Sequence, residues 1–453
     1  MASAPIYSPN ANALHLSPTP FTLPTLKAAT PLLSNDYRQV HPRTASADSR
    51  PPERTAAPEA RTRPDDPGRL TEERATMKQH DRNHACTSRE RRRFLRSAAW
   101  GGAALLGGPY IRNAAAAKTT TWKIQTSWPG GVGLEIFREW CDSIIEKTDG
   151  ELAFEPYKAG ELAGDFDLFD AVRKGDVQGM NAFSVYWEAQ MPVSVFLSSY
   201  PLGLRHPAEW DTFFYGLGGL ELARDEYARF GLRYVGPIQH GANVIHSRVP
   251  IRSIEDFKDL RIRLPGGMVA EVFQAAGAKP TLLPGGEILP ALERDAIDAA
   301  DYVGPAVNHD LGLDGVTDHV VTGPPGFLSL HQPVDLMDLT VNLRAWNDLS
   351  PRMQTLVERE VQAYSDFHHA RIQKADLAAW KAFDRAGTKI HRLSHDDVDR
   401  FAELAVPRWF AWANKDKAAA RAFRIQLDYM MSPQLGYITP DMVKGNKLKW
   451  TFG

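Results

Sequence analysis

The stretch KDLRIRLPGG, residues 258–267, sets apolar Leu260, Ile262 and Leu264 against Arg261 and Arg263 at the two-residue period of a strand. Arg263 ends the run, just before Pro265-Gly266-Gly267 and a helical pattern, so a guanidinium fork and free backbone N–H groups can converge there on an anion. Arg261, on the same face, reads as a solvated charge. Other polar side chains fall at expected strand ends and loops: Asn243, Asp301, Asn308 and Gln332, with Trp128, Tyr186, Trp187 and Tyr302 near them in the pattern. Arginine grips a carboxylate through two parallel hydrogen bonds. Asp, Asn and Gln side chains and backbone carbonyls are hard oxygen donors, suited to sodium or calcium and not to zinc. Aromatic rings add an apolar wall against a small ligand.

Spacings that carry covalent chemistry are missing. No H-E-x-x-H, G-x-S-x-G, C-x-x-C, G-x-x-x-x-G-K-[ST] or strand-linked G-x-G-x-x-G occurs. Gly216-Leu217-Gly218-Gly219 falls inside a helical run and reads as local packing. His368 and His369 are adjacent on a helix, so they cannot share a face as a metal pair. Ser329 has no base beside it in sequence. Cys141 lies on the apolar face Phe137, Trp140, Cys141, Ile144, Ile145 and reads as a buried structural thiol.

The elements that must position these groups alternate. TTWKIQTSWP, ELAFEPYKAGEL and VQGMNAF read as strands, separated by the helices GLEIFREWCDSIIEKTDG and DFDLFDAVRKGD, a βαβαβ pattern that makes a parallel sheet. Further strands fit RYVGPIQ, ANVIHS, LRIRL, KPTLLP, AIDAADYV, VVTG and DLTVNL, and helices fit AEWDTFFYGLGGLELARDEYARFG, GMVAEVFQAAG and GEILPALERD. AVRKGDVQGMN (171–181) can be laid on ALERDAIDAAD (291–301), ending in Asn181 and Asp301. Such an echo suggests two similar lobes, with ligands beyond the carboxyl ends of their strands. From Ser350, an N-cap followed by Pro351, one helical pattern runs for about ten turns and must reach across more than one lobe. After a return through TKIHRLS, two more helices follow.

The 453 residues carry 53 Lys and Arg against 55 Asp and Glu, a net charge of -2, with no long run of like charge to favour nucleic acid. Residues 1–76 have the composition of a disordered segment and read as an over-extended start, with translation beginning at Met77. Residues 77–117 read as an export signal: a basic start, a short Gly/Ala-diluted apolar stretch, and small residues before Lys118. Within it Arg91-Arg92-Arg93-Phe94-Leu95-Arg96 resembles the twin-arginine motif, with Glu90 where Ser or Thr is usual. Cleavage there removes Cys86 and leaves a single cysteine, so no internal disulfide forms.

TSWPGG, YKAGELAGDFDLFDAVRKGDVQGMN, DLRIRLPGGMVAEVFQAAGAKPTLLPGGEILPALERDAIDAADYVGP and the helical C terminus resemble the periplasmic solute-binding subunits of tripartite ATP-independent periplasmic (TRAP) transporters. They are most similar to the branch that binds 2-oxo acids and lactate-like monocarboxylates with a metal ion. The resemblance implies a two-lobed α/β fold of the type II-like periplasmic-binding-protein kind, with a long lobe-spanning helix. Lobe I is expected over 118–241 and 304–340, and lobe II over 242–303 and 341–453. It also implies ligand capture by lobe closure, delivery to a membrane permease, and no catalysis. Arg263 corresponds to the carboxylate-pairing arginine. Asp301 and Tyr302 lie where the branch has Glu-Trp and would hold a cation through carboxylate and backbone carbonyl. Gln332 replaces a ligating glutamate, and Asn243 replaces a glutamine that bridges metal and ligand. Asn181, Trp128, Tyr186 and Trp187 complete the expected substrate set. Gln for Glu removes one negative charge, which weakens the electrostatic case for a divalent ion. The expected cofactor is sodium or calcium, with no organic cofactor. A C4-dicarboxylate or sugar acid would need a second cleft-facing cation, Arg261 or Arg248. An exported metal-dependent lyase would use Asp301 with His309 or His331. The C-terminal helices are long enough for the arm-exchanged homodimer seen in part of the branch.

Overall fold

The computed structural model describes residues 119–452, so the expectations for 1–76, for the twin-arginine signal in 77–117 and for Cys86 lie outside the described residues. The strands are β1 (Thr120–Thr126), β2 (Leu152–Tyr157), β3 (Gly179–Ala182), β4 (Leu232–Gly241), β5 (Ile245–Ser247), β6 (Arg261–Arg263), β7 (Lys279–Thr281), β8 (Ala299–Asp301), β9 (His319–Thr322), β10 (Asp335–Asn342) and β11 (Lys389–Arg392). They form two sheets, ordered β2-β1-β3-β10-β4 and β11-β9-β5-β8-β6-β7. In the first, β1 runs parallel to β2 and β3, and β10 is antiparallel to β3 and β4. In the second, β6 runs parallel to β7 and β8, and β5 is antiparallel to β8 and β9. The reversed strand of each sheet is the one entered from the other lobe, β5 after β4 and β10 after β9.

This arrangement gives the sequence echo a physical basis. β3 and β8 hold the same station in their sheets, between a parallel neighbour and the reversed strand, with Asn181 opposite Leu339 and Asp301 opposite Ile245. It also corrects the lobe boundary. β9 pairs with β5 and β11, so 304–322 belongs with the second sheet, and the chain crosses back only between Thr322 and Asp335.

The long helix, Pro351–Ala386, spans 36 residues, about 54 Å. Ser350 Oγ accepts from Met353 N at 3.2 Å at its start, and Gly387, at φ +79°, stops it. Its buried side chains, Met353, Val357, Val361, Tyr364, His368, Ile372, Ala379 and Phe383, recur at mostly three- to four-residue spacing. The first half lies along β4, where Ser365 Oγ accepts from Gln239 N at 3.0 Å and His368 Nδ1 sits 3.0 Å from Gln239 O. Farther along, Asp376 accepts from Ala306 N at 2.8 Å, so one rigid element touches both lobes.

The helix expected over 208–231 is broken. It comprises Pro207–Asp211, a wider turn over Thr212–Gly216, and Gly219–Ala228, because Gly218 adopts φ +87° and a side chain at Gly219 would strike the Phe213 ring and carbonyl. The C-terminal helices His395–Ala413 and Lys417–Met431 fold back on their own chain. Trp409 Nε1 donates to Pro201 O at 2.8 Å, Gln426 Nε2 to Phe196 O at 2.7 Å, and Arg408 Nε to Glu271 O at 3.0 Å. Cys141 is buried and free, as its helical face implied.

Candidate functional site

Arg263 faces Ala300 across β6 and β8, so Arg263 and Asp301 leave the second sheet at the same end. Arg263 is only 1% exposed. Its Nε donates to Leu283 O at 3.0 Å and its Nη1 to Asp301 O at 2.7 Å, while Nη2 lies 3.5 Å from the Tyr186 hydroxyl of the other lobe. The Tyr302 ring centre lies 5.3 Å from the guanidinium. The only carboxylate in ion-pair range among the described residues is Asp301, at 3.9 Å. A buried guanidinium with donors left over is a site for an anion.

Asp301 is fully buried, with its two oxygens in different situations. Oδ1 is 2.8 Å from His331 Nε2, and His331 Nδ1 is 3.2 Å from Ser329 Oγ, which accepts from Gln332 N at 3.2 Å. That network places the ring proton on Nε2, facing the carboxylate. Oδ2 has no partner. Ser329, His331 and Asp301 thus follow the donor order of a hydrolytic triad. The space beside Ser329 and His331 is about 10 Å³, walled by Phe257, Phe273 and Phe401, which admits no more than one water.

Asn243 sits on the β4–β5 crossing. Its Nδ2 points at Tyr302 O (2.9 Å), Gln332 Oε1 (3.1 Å) and Asp335 Oδ2 (3.0 Å). Gln332 Nε2 donates to Asp335 Oδ1 at 3.2 Å, and Leu336 N to the same oxygen at 2.9 Å. An ionised carboxylate only accepts, so Asp335 turns both amide NH2 groups toward itself and leaves Asn243 Oδ1 without a partner. Burial pushes Asp335 up to about 7, opposed by the Asn243 hydrogen bond and reinforced by the Asp301 charge. Two buried oxygens, Asp301 Oδ2 and Asn243 Oδ1, are left without hydrogen-bond partners, and the Tyr302 carbonyl accepts from Asn243 Nδ2. Hard oxygen donors of this kind suit sodium or calcium. Among the described residues no three or more His, Cys, Asp or Glu side chains gather as a metal site.

The lobes meet across these groups. The Tyr302 hydroxyl donates to Ser127 O at 3.1 Å, and Phe183 lies edge-on to Tyr302 and Tyr186, with centroids at 6.5 and 5.7 Å. Glu188 of the first lobe reaches the turn at Gly266-Gly267. A side chain on Gly267, at φ +47°, would collide with its carboxylate. Burial raises Glu188 to about 8, opposed by Lys415 and by a hydrogen bond from the Gly267 backbone. A carboxyl with a raised folded value contributes stability below its unfolded value and loses it as pH rises through the folded one. Glu188 therefore sheds its contribution progressively from about pH 4 up to about 8, and Asp335 and Asp338 up to about 7; His246 and His368, lowered to about 4, act in the opposite sense only below about pH 6.5, so the net fall shows above that pH. Thermal melts with a chelator present should therefore show a falling melting temperature between about pH 6.5 and 8.5, partly flattened by Glu188→Gln. An unchanged melting temperature in the parent protein would contradict this.

Residues 132–416 match DctP, family 7 of the bacterial extracellular solute-binding proteins. The chain belongs to this family. It is 30% identical over 67% of its length, and 82% of the relative's, to the monocarboxylate 2-oxoacid-binding periplasmic protein of a Nostoc species. Two solved TRAP solute-binding proteins share the fold. One, from Colwellia psychrerythraea with bound calcium and pyruvate, is 23% identical with a TM-score of 0.63 over 69% of this chain and 94% of its own. The other, from Pseudoalteromonas atlantica with bound sodium and pyruvate, is 23% identical with a TM-score of 0.62 over the same shares. The two-lobed α/β fold is the fold of these TRAP proteins.

Of the residues expected at the site in this family 7 chain, the structure brings together Arg263, Asp301, Tyr302, Asn243, Gln332 and Tyr186. Three expected residues turn elsewhere. Trp187 is buried in the first lobe, donating to the Tyr227 hydroxyl at 3.0 Å and packing on Phe169. Asn181 accepts from Thr126 Oγ1 at 3.0 Å and is held within its sheet. Trp128 adjoins Ser127, but its ring packs among Phe183, His240 and His368. Arg261 pairs with Asp298 at the surface (Nε to Oδ2, 2.9 Å), Arg248 pairs with Asp295, and His309 pairs with Asp314 at 3.0 Å. Asn308 ties its own loop, donating to Val303 O at 2.8 Å. Sequence reading missed Asp335 altogether. Its signal was a carboxylate three residues after Gln332, in HQPVD.

Proposed function

We propose that this TRAP solute-binding protein captures a small monocarboxylate carrying a 2-oxo or 2-hydroxy oxygen, together with sodium or calcium, and presents it to a membrane permease. The observation that carries this is the buried Arg263, with donors to spare, 3.9 Å from Asp301, whose Oδ2 has no hydrogen-bond partner. The ligands in the names of the Nostoc relative and the two solved proteins agree with it. Arg263 takes the carboxylate. Asp301 Oδ2, Asn243 Oδ1 and the Tyr302 carbonyl would hold the cation, which supplies a positive charge to the ligand oxygens. His331 and Asp335 position those donors, and Tyr302, Tyr186 and Phe183 exclude water. No bond is made or broken, so the protein acts as a carrier and not as an enzyme.

The protein works in the periplasm, reached by the twin-arginine route that Arg91 to Arg96 resemble. A C4-dicarboxylate is disfavoured because both candidate second cations, Arg261 and Arg248, are engaged at the surface. Homodimerisation through the C-terminal helices is not proposed, because those helices spend Trp409 and Phe423 on their own chain.

A thermal-shift screen tests the ligand class. Small 2-oxo and 2-hydroxy monocarboxylates should raise the melting temperature, more so with calcium, and be recovered unchanged. A larger shift with C4-dicarboxylates or sugar acids, or conversion of the added acid, would overturn it.

A further inference from the structure

A further buried carboxylate lies on the opposite lobe, next in sequence to a residue that packs on the site's Tyr186. Asp165, in the loop between β2 and the helix Leu168–Lys174, is 5% exposed, and its Oδ1 has no hydrogen-bond partner. The loop is built into place. Gln125 of β1 accepts from Leu162 N at 2.7 Å and Ala163 N at 3.0 Å, and its Nε2 donates to Ala163 O at 2.8 Å. The next residue, Phe166, lies edge-on to Tyr186 at 5.1 Å, and Tyr186 in turn reaches Arg263.

Burial raises Asp165 to about 6, the Arg263 charge lowers it, and Asp165 in turn acts on Tyr186 and Tyr302. Yet Asp165 makes no ion pair with Arg263, whose only carboxylate in range among the described residues is Asp301. A buried acceptor oxygen left without a donor, as Asp165 Oδ1 is, costs stability unless something supplies one.

We propose that Asp165 is a specificity residue, receiving a hydroxyl or ammonium hydrogen from the ligand's far end, so that the preferred solute is a hydroxy- or amino-substituted monocarboxylate and not an unsubstituted one. This rests on the carboxylate cleft proposed above. A hydroxyl and an ammonium share the required chemistry, a hydrogen-bond donor, and differ in charge.

Titration calorimetry of the full chain with three shape-matched acids, 2-hydroxybutyrate, glycerate and isoserine, separates these cases. They share a 2-hydroxy carboxylate head and end in methyl, hydroxyl and ammonium. Glycerate or isoserine should bind roughly 10- to 100-fold more tightly than 2-hydroxybutyrate. Asp165→Ala should bring the three within about threefold of one another. Asp165→Asn, which still accepts a hydrogen bond but carries no charge, should keep a glycerate preference and lose an isoserine preference. Equal affinity for all three in the parent protein, or a preference that survives Asp165→Ala, would overturn the role of Asp165 and leave the cleft standing. If none of the three binds while Arg263→Ala is equally silent, the cleft assignment falls, and the role of Asp165 with it.

Discussion

Arg263→Ala is expected to lower affinity for small monocarboxylates by about 2–5 kcal/mol, roughly 30-fold to several thousandfold, as read by titration calorimetry. The size follows from burial. At 1% exposure no water screens the guanidinium, so a carboxylate placed against it forms charge-assisted hydrogen bonds in a low-dielectric setting. Alanine also frees the Asp301 and Leu283 carbonyls and leaves Asp301 without its nearest cation, so some loss of stability accompanies the change. Arg263→Lys separates the two effects. It keeps the charge and much of the stem but loses the planar fork, and should bind with intermediate affinity. Undiminished carboxylate affinity in Arg263→Ala would remove this residue from the site.

Asp335→Asn is expected to cut the cation's contribution to ligand affinity by about 10- to 100-fold while leaving cation-free binding nearly unchanged. The carboxylate fixes the amides of Asn243 and Gln332 because it can only accept. An amide in its place can offer hydrogens of its own, so Asn243 is free to turn its Oδ1 inward and away from the cation. Once ionised, above about pH 7, Asp335 also restores the negative charge that Gln332 lacks, three residues along the chain. Asp301→Ala removes a donor oxygen itself and should abolish the cation effect. If calcium and sodium raise affinity as strongly in Asp335→Asn as in the parent protein, Asp335 does not organise the donors.

Much of the fold was legible because each lobe's strands carry their own alternation and each helix its own period. The boundary at β9 was not, because VVTG is equally apolar whichever sheet it joins, and only its pairing with β5 decides. Arg263 could be preferred over Arg261 because it ends its strand before a Gly-Gly turn and because the resemblance to TRAP solute-binding subunits puts a carboxylate-pairing arginine at that position. Trp187 and Asn181 were misplaced for the opposite reason. Buried hydrogen bonds to Tyr227 and Thr126 hold them inside the first lobe, and no local pattern announces such partners. Asp335 and Asp165 stayed hidden because a carboxylate's burial depends on what folds over it from far along the chain.

The most direct test is titration calorimetry of the full chain with a 2-hydroxy or 2-oxo monocarboxylate, with calcium present and after chelation. A carboxylate cleft with a cation bridge predicts saturable binding at one site per chain, tightened by calcium, with the acid recovered intact. Absence of binding by every such acid, with calcium, sodium or neither, would contradict it.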